Sequence, residues 1–520
     1  MANKNLFKSM VGKLLPKADA VNDANAPAYA FDAKHALAQY AATGCFNQTF
    51  YAGADEQLAR VLALCAEVEP EFIAKTAVYA RERGRMKDMP ALLCAALSVR
   101  DPKFLARVFP RVIDTGKMLR NFVQIMRSGV VGRKSLGTAP KRLVREWFEA
   151  RDVEAIFTAS VGQQPSFADV LKMVHPKPAT PEREALYGYF IDRVRDADAL
   201  PQVVRQYEAF KAGESLDVPR VPFQMLTALP LSTEEWAEIA RTASWTMTRM
   251  NLNTFARHGV FEVEGMTELI AARLRDEELI RRAGVFPYQL LTAYFATDER
   301  VPLPVREVLQ DALEVATANV PQIEGKVYVF PDVSGSMHSP VTGYRKGATT
   351  AVRCVDVAAL VAATVLRRNP TAEVIGFSDD VVEVRLNPRD SVMTNAQKLA
   401  SFPPGGTNCS APLALLNKRK ETGDLLIYVS DNQSWVDARG RYGTDATATM
   451  REWAAFRGRE PRARMVCIDI QAYANTQAQE REDILNVGGF SDGVFEIIAE
   501  FARGTLTDGH WVATIEAVEV

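Results

Sequence analysis

The stretch KVYVFPDVSGSM, residues 326–337, decides the fold of the second half of the chain. Its first five residues, Lys326–Phe330, are rich in β-branched and aromatic side chains, which predicts a short buried strand. Asp332, Ser334 and Ser336 follow this strand directly. Because ligands in open α/β sheets bind beyond the carboxyl ends of the strands, the stretch predicts a sheet with a binding site at its edge.

Helices and strands are expected to alternate after this stretch. The expected helices are Ala351–Arg368, Thr394–Phe402, Ala411–Lys420, Ala446–Arg457 and Asp492–Arg503, and the expected strands are Glu373–Phe377, Val381–Leu386, Asp424–Ser430 and Ala463–Ile470. Alternation of this kind is typical of a doubly wound parallel sheet that helices cover on both faces. The helix Asp492–Arg503 is expected to close this α/β domain.

Two more polar positions lie at the ends of later elements. Thr407 stands in a Gly-Gly-Thr-Asn loop just before a helix, and Asp431 follows the strand Asp424–Ser430. Carboxylate and hydroxyl oxygens are the ligands that a hard cation such as Mg²⁺ prefers. The expected ligands of a divalent metal ion are Asp332, Ser334, Ser336, Thr407 and Asp431. In this order they form the DxSxS…T…D pattern of a metal-ion-dependent adhesion site, and this half of the chain resembles the Rossmann-like von Willebrand factor A fold.

Two other interpretations of this pattern stand beside the metal site. In the first, the two serines cap a turn while the aspartates pair with Arg345 or Arg353. In the second, the domain is a phosphatase of the haloacid-dehalogenase class, with a nucleophilic aspartate after the first strand. Such an enzyme needs a second aspartate two residues later as general acid. Because Ser334 occupies that position, the sequence favours a binding site without enzyme chemistry.

The first half of the chain, from about residue 30 to residue 320, has a helical pattern with short loops. The sequence EPEFIAK at Glu69–Lys75 returns 32 residues later as DPKFLAR at Asp101–Arg107. In each copy an acidic residue precedes a proline at the first helical position, which marks a helix start. A repeat of this length predicts stacked helix pairs of the HEAT-like type.

A basic segment interrupts an otherwise acidic chain. Residues 101–150 contain eleven Lys and Arg against four Asp and Glu, a net charge of +7 in a chain whose net charge is −2. Glycines, a basic loop and a basic helix face suit contacts with phosphates. A second basic group lies where a helix is expected to end before Pro176. The expected RNA-binding residues are Arg127, Arg133, Lys134, Lys141, Arg142, Arg145, Lys172, His175 and Lys177.

Four further segments carry a resemblance to a known module. They are RGRMKDMP at Arg83–Pro90, VLKMVHPKP at Val170–Pro178, RMNLNTFARHGV at Arg249–Val260 and FPYQLLTAY at Phe286–Tyr294. In this order, followed by the von Willebrand A-like half, they resemble the TROVE module of the bacterial Ro (60 kDa SS-A/Ro autoantigen) family. The resemblance implies a multidomain protein in which an α-helical ring of HEAT-like repeats precedes the α/β domain.

The resemblance also implies what the protein binds. Ro-family proteins bind small non-coding Y RNA on the outer basic face of the ring and take single-stranded ends of misfolded RNAs through its hole. A monomeric, non-enzymatic scaffold in RNA quality control is therefore implied, with an exoribonuclease tethered through RNA as a further partner. The alternative is a protein-binding scaffold that uses the metal site to capture an acidic partner, but it would not need the basic segment.

Composition and length set the remaining expectations. A chain of 520 residues, 48% hydrophobic and 24% charged, is typical of a folded protein of several domains. The six cysteines form no CxxC pair, and the first residues lack the apolar core of a signal peptide, so a cytoplasmic protein without membrane contact is expected. The expected domains are 1–25 as a disordered N-terminus, 26–320 as the TROVE ring and 321–520 as the α/β domain.

Overall fold

The computed structural model describes residues 15–44, 46–285, 287–318, 320–344, 352–435, 446–471, 473–490, 492–506 and 509–520. The chain forms two compact units. The helical unit contains Glu69–Gly284, Thr297–Ala312 and the last two residues, and the α/β unit contains the described residues up to Val68, Val285–Ala296 and Leu313–Val518. This division differs from the expected domains 26–320 and 321–520. Residues 26–68, Val285–Ala296 and the stretch from Leu313 to residue 320 were expected in the helical domain but belong to the α/β unit.

The helical unit consists of short helices joined by short loops. Its helices are Pro70–Glu82, Asp88–Arg100, Pro102–Val112, Gly116–Ser128, Thr138–Glu149, Val153–Ala159, Phe167–Val174, Pro181–Phe190, Gln202–Lys211, Phe223–Leu226, Thr233–Thr242, Trp245–Met250, Leu252–Arg257, Met266–Arg275 and Glu277–Ala283, with a 3₁₀ turn at Val260–Glu262. The boundary between the units falls within the helix Leu303–Thr317. The expected helical character of this region is confirmed, whereas its closure into a ring stays a prediction.

Two helix starts test the repeat that the sequence suggests. Helices begin at Pro70 and at Pro102, as expected. The Asp101 carboxylate caps the second helix by accepting a hydrogen bond from the Lys103 amide at 2.8 Å. An acidic residue before the proline also predicts a side-chain cap, and for the first helix this is wrong, because the Glu69 side chain makes no capping hydrogen bond. The shorter side chains of aspartate, asparagine and serine are the ones that reach the first free amides of a helix.

A second repeated feature is visible only in the structure. Three arginine guanidiniums each donate to a carbonyl in the last turn of a helix that lies 33 to 35 residues earlier. The pairs are Arg133 with Ser98 at 3.1 Å, Arg183 with Phe148 at 2.6 Å and Arg273 with Ala240 at 2.5 Å. The last carbonyls of a helix have no partner within it, so each arginine satisfies a group that would otherwise lack one. Each bond therefore joins one repeat to the preceding one.

The α/β unit is built on a five-stranded parallel sheet. The strands of the unit are β1 Ala20–Val21, β2 Pro27–Ala30, β3 Val327–Pro331, β4 Glu373–Val374, β5 Gly376–Phe377, β6 Val381–Val382, β7 Leu425–Ser430, β8 Arg464–Asp469, β9 Asn475–Thr476 and β10 Ile484–Gly488. The parallel sheet has the order β10-β8-β7-β3-β4. Strands β3 and β7 are buried along their whole length, as expected for strands covered on both faces. The α/β fold predicted from the sequence is confirmed.

Helices connect these strands and cover the sheet. The helices of the unit are Ala33–Thr43, Ala54–Glu67, Pro287–Ala296, Cys354–Arg368, Val392–Ala400, Ala411–Arg419, Ala448–Arg457, Asp492–Arg503 and His510–Glu516, with a 3₁₀ turn at Ser336–His338. Two expectations are wrong. The single strand expected at Glu373–Phe377 is divided into β4 and β5, and β5 pairs with β6 in a separate antiparallel sheet. The helix Asp492–Arg503 does not close the domain, because His510–Glu516 follows it.

The N-terminal segment is part of the α/β unit. Strands β1, β2 and β9 form an antiparallel sheet in which Tyr29 pairs with Thr476. Asn22 is buried, and its Nδ2 donates to the Ser434 carbonyl at 2.6 Å. The disorder expected for residues 1–25 is therefore wrong for residues 15–25, whose backbone and polar groups find partners far along the chain. Residues 1–14 lie outside the described part.

Within the described ranges, none of the helices is long and apolar enough to cross a bilayer.

Candidate metal centre and nucleic-acid interface

Two neighbouring strands bring the candidate metal ligands to one edge of the sheet. Strands β3 and β7 are parallel, with Pro331 opposite Val429. The next residue after β3, Asp332, donates its amide to the Val429 carbonyl at 3.0 Å. Asp431 follows β7 directly, so the two carboxylates leave adjacent strands at the same end. This is the juxtaposition that the sequence pattern predicts.

The glycine loop completes the site. The Gly335 amide donates to the Gly405 carbonyl at 2.8 Å, which holds the 404–407 loop against the DVSGS turn. A side chain at Gly406 would collide with Trp435, because a Cβ there would lie 2.2 Å from the indole nitrogen. Glycine therefore lets the loop pass close to the chain that follows β7. Thr407 is 3% exposed at the end of this loop, and its carbonyl accepts from the Trp435 amide at 3.0 Å.

The five candidate ligands are buried and carry oxygen atoms. Asp332 accepts from the Ser334 amide at 2.8 Å and from the Ser430 hydroxyl at 2.5 Å. The hydroxyl oxygens of Ser334 and Ser336 are 3.4 Å apart. The Oδ2 atom of Asp431 is buried and has no hydrogen-bond partner in the described part of the chain. A buried carboxylate oxygen without a partner is strongly unfavourable unless something else, such as a cation, balances it.

Electrostatics favour a cation at this edge. Burial, together with the negative charge of Asp431, raises the pKa of Asp332 to about 7, and burial raises the pKa of Asp431 as well. The described residues contain no group of three or more His, Cys, Asp or Glu that could hold a metal ion. Two carboxylates with three hydroxyls instead form an all-oxygen set, which fits Mg²⁺ or a similar hard cation. The residues present thus fit the metal that the sequence pattern predicts.

Neither aspartate pairs with the arginine that the turn-cap interpretation offered. Arg353 binds Asp356, with Nη2 2.6 Å from Oδ1, and its Nη1 lies 3.1 Å from the Nδ1 of His338. Arg345 lies outside the described residues. The Arg353 form of that interpretation is therefore wrong.

The sequence did not point to Tyr51, which lies beside the candidate ligands. Burial and the charge of Asp431 raise the pKa of Tyr51, whereas an interaction of its hydroxyl with the Ser336 side chain lowers it. The Tyr51 ring stands edge-on to Tyr473, with ring centroids 5.8 Å apart. A side chain from the N-terminal segment therefore borders the site.

The backbone around Tyr51 is tied to the same two loops. Gln48 pairs with Tyr344, which follows the DVSGS turn, and the Asp23 amide donates to Gln433 Oε1 at 2.9 Å, close behind Asp431. No motif or spacing links residues 23–51 to residues 332–431, so only the tertiary structure reveals this contribution. The sequence pattern also did not include Ser430, whose hydroxyl donates to Asp332. Its position directly before Asp431, at the end of a strand, could have indicated that it lies at the site.

The basic residues of the second candidate site converge from two helices. The helices Thr138–Glu149 and Phe167–Val174 pack together, and the Nε of Arg145 donates to the Val174 carbonyl at 2.5 Å. This bond places Arg145 beside the turn that contains His175, which ends the helix in a left-handed conformation (φ 49°). Lys172, His175 and Lys177 are all exposed. We call Lys141, Arg145, Lys172, His175 and Lys177 the basic face.

The other candidate RNA-binding residues differ in their surroundings. Arg127 is exposed. Hydrogen bonds from Ser166 are the main cause of the lowered pKa of Asp169, and the charge of Arg127 adds to this lowering. Arg133 bonds to the Ser98 carbonyl, and Arg142 forms an ion pair with Glu146 at 2.6 Å. Lys134 is exposed on the loop between its neighbouring helices. Arg133 thus has a structural partner already, and the RNA contacts of all nine residues stay predictions.

Known proteins match this chain in both halves. Residues 326–502 match the family model of the Ro60 vWA domain. The chain is 25% identical over 518 residues to the RNA-binding protein RO60 of Deinococcus radiodurans, covering 93% of this chain and 95% of that protein. It is 24% identical over 254 residues to the RNA-binding protein RO60 of Caenorhabditis elegans, covering 47% of this chain and 38% of that protein.

A solved structure has the same fold. The crystal structure of the Deinococcus radiodurans RO (RSR) protein superposes with a TM-score of 0.64 at 22% identity, covering 91% of this chain and 100% of that one. The helical region, the parallel α/β domain and the Ro60 vWA match occur in the same order along the chain. The chain is therefore similar to Ro-family proteins over most of its length, and residues 326–502 match the Ro60 vWA domain.

Proposed function

We propose that this protein binds RNA through the basic face of its helical unit. Its relatives named RNA-binding protein RO60 support RNA as the ligand. The observation that carries the proposal is the convergence of basic side chains from two helices, with Arg145 bonded at the end of the helix that leads into His175 and Lys177. Such residues neutralise phosphates, which gives affinity that depends strongly on salt and little on base sequence.

The ligands proposed are a small structured RNA of the Y RNA type and the single-stranded ends of misfolded RNAs. A helical surface with exposed Lys172 and Lys177 suits the backbone of a folded RNA. In this role the protein is a scaffold in RNA quality control, and an exoribonuclease would reach it through the RNA.

For the α/β unit we propose a divalent cation, Mg²⁺ by its ligand chemistry. Asp332, Ser334, Ser336, Thr407 and Asp431 would hold it. The cation would balance the two buried carboxylates and bind an oxygen atom of a partner. The hydroxyl of Tyr51, which lies beside Ser336, would limit how large that partner group is.

An electrophoretic mobility-shift experiment tests the RNA proposal. One hairpin RNA is compared with the same hairpin carrying a single-stranded 3′ tail, across a series of salt concentrations. The double variant Lys172→Ala, Lys177→Ala is expected to bind more weakly. The slope of log K against log salt should fall by roughly 1.4 to 1.8 in magnitude if both phosphate contacts are lost.

The matched control is Arg220→Ala with Arg282→Ala, which removes two equally exposed charges from the same unit. This control is expected to keep the affinity and slope of the parent protein. Equal behaviour of both double variants would refute the basic face as the binding surface. If the parent protein binds neither RNA at low salt, the protein-binding scaffold becomes the better explanation.

A further inference from the structure

A cavity of about 420 Å³ lies in the helical unit, next to the basic face. Its walls are the turn after the helix Phe167–Val174, the helix Pro181–Phe190 and the loop that follows that helix. Pro176 and Pro178 form one wall, and they alternate along the chain with His175 and Lys177 of the basic face. The volume is within the range of pockets that bind small organic molecules.

The sequence holds this cavity open. The prolines at 176 and 178 cannot donate backbone hydrogen bonds, so the helix cannot continue and fill the space. On the opposite side the Arg193 amide donates to the Gly188 carbonyl at 2.7 Å. A Cβ at Gly188 would lie 2.8 Å from the Arg193 carbonyl oxygen, so the loop can approach the helix only because residue 188 is glycine. The Asp196 carboxylate then fixes the loop by accepting from the Ala199 amide at 3.3 Å.

The chemistry of the walls is that of a site for a flat, polar-edged molecule. Tyr187 is 8% exposed, and its ring packs edge-on against Phe148 with centroids 6.1 Å apart. Its hydroxyl is buried beside the cavity and makes no hydrogen bond of normal geometry among the described residues, although the Arg183 side chain is close enough to act on the pKa of Tyr187. A buried hydroxyl without a partner is unfavourable, and a ligand with a polar edge would satisfy it.

The rim of the cavity is charged. Arg193 and Arg195 both line it, and Arg195 is 86% exposed, with only a long contact of 3.7 Å to Glu184. Exposed ion pairs of this length contribute little, so the Arg195 guanidinium can turn to an anion at small cost. The lining combines apolar and polar groups and also includes the carboxylates of Glu184 and Asp196. A nucleobase can lie against its proline and tyrosine side chains, while its phosphate faces the exposed arginines.

We propose that this cavity receives one unpaired nucleotide of an RNA that lies on the basic face. The base enters between Pro178 and Tyr187, its polar edge bonds to the Tyr187 hydroxyl, and its phosphate faces the arginines of the rim. The proposal rests on the proposed function, because the RNA backbone must pass Lys177 for the base to reach the pocket. It adds a preference for unpaired nucleotides that phosphate contacts alone do not supply.

The test uses two hairpin RNAs that are identical except for one bulged nucleotide, with the full-length protein. The parent protein is expected to bind the bulged hairpin roughly tenfold more tightly, in line with the energy of one stacked base. Ala199→Phe fills the cavity and is expected to abolish this preference, while Ala212→Phe, an exposed alanine outside the cavity, keeps it.

A second variant covers the case in which Ala199→Phe fails to fold. Tyr187→Phe removes only the hydroxyl and should reduce the preference roughly threefold, whereas Tyr189→Phe on the same helix should leave it unchanged. An identical preference in Tyr187→Phe, Ala199→Phe and the parent would overturn the pocket. Tight binding of both hairpins by the parent without any preference would also overturn it, while leaving RNA binding by the basic face intact. Absence of all binding by the parent would instead refute both proposals.

Discussion

The buried pair Asp332 and Asp431 leads to a quantitative prediction about stability. Without a cation, burial and the charge of Asp431 raise the pKa of Asp332 from 3.8 to about 7. A shift of about three pKa units corresponds to an upper bound of roughly 4 kcal/mol in the free energy of unfolding. Because the folded state holds its proton more tightly than the unfolded state, this free energy of unfolding falls as pH rises from 3.8 through 7, and the full loss is present at pH 8.

The substitution Asp332→Asn removes this charge and one hydrogen-bond acceptor. The carboxylate accepts from both Ser334 and Ser430, and the amide keeps only one of these bonds, a loss of about 1 kcal/mol. At pH 8 in a chelator, the variant is therefore expected to be more stable than the parent by about 1 to 3 kcal/mol, after relaxation around the pair reduces the upper bound. Mg²⁺ at a hundred times its Kd should stabilise the parent by about 2.7 kcal/mol and the variant not at all.

Urea denaturation with and without MgCl₂ measures both quantities. The control is Asp380→Asn, an exposed carboxylate near the site but outside the motif, which should respond to Mg²⁺ as the parent does. Equal stabilisation of Asp332→Asn and the parent by Mg²⁺ would refute the metal site. A variant several kcal/mol less stable than the parent in chelator would refute the electrostatic reasoning.

Three further predictions concern single residues. Tyr51→Phe removes the hydroxyl that interacts with the Ser336 side chain, so isothermal titration should show Mg²⁺ binding tightened several-fold; weaker binding would show that the tyrosine supports the site. Burial raises the pKa of Glu480 to about 8, so its proton is held in the folded state and the stability of the parent should fall by a few kcal/mol between pH 5 and pH 8. In urea denaturation at these two pH values, Glu480→Gln should lack this pH-dependent loss of stability. A variant with the same pH dependence as the parent would show that Glu480 is not its source. Arg183→Ala leaves two helix-end carbonyls without their donor and should lower the free energy of unfolding by about 1 to 3 kcal/mol. Arg195→Ala, an exposed change, should lower it by less than about 0.5 kcal/mol, and equal losses in the two would disprove the capping role.

The parts of the fold that local sequence determines were predictable. The strand Val327–Pro331 and the turn after it were visible as an apolar run followed by polar residues, because parallel strands are buried on both faces and their ends carry the ligands. The start of the helix at Pro70 was visible for a similar reason, since proline is favoured at the first helical position, where its missing N–H leaves no hydrogen bond unmade.

The parts that depend on distant partners were not predictable. Residues 15–30 carry no periodic pattern, and their order comes from pairing with β9 and from the bond between Asn22 and Ser434. The side chain of Tyr51 reaches the candidate metal site by the same long-range packing. Arg133 illustrates a second difficulty: its charge suggests a phosphate contact, which stays a prediction, and nothing in the sequence indicates that its guanidinium also bonds to the Ser98 carbonyl at a helix end. Charge in a sequence does not reveal whether a side chain already has a partner.

Ultraviolet cross-linking of bound RNA, followed by mass spectrometry of the peptides, tests the central claim most directly. The account predicts cross-links in the helices Thr138–Glu149 and Phe167–Val174 and in the turn that contains His175 and Lys177. These cross-links should weaken as salt increases, since phosphate contacts bring the RNA to this surface. Cross-links confined to residues 326–502, or spread evenly over both units, would contradict it.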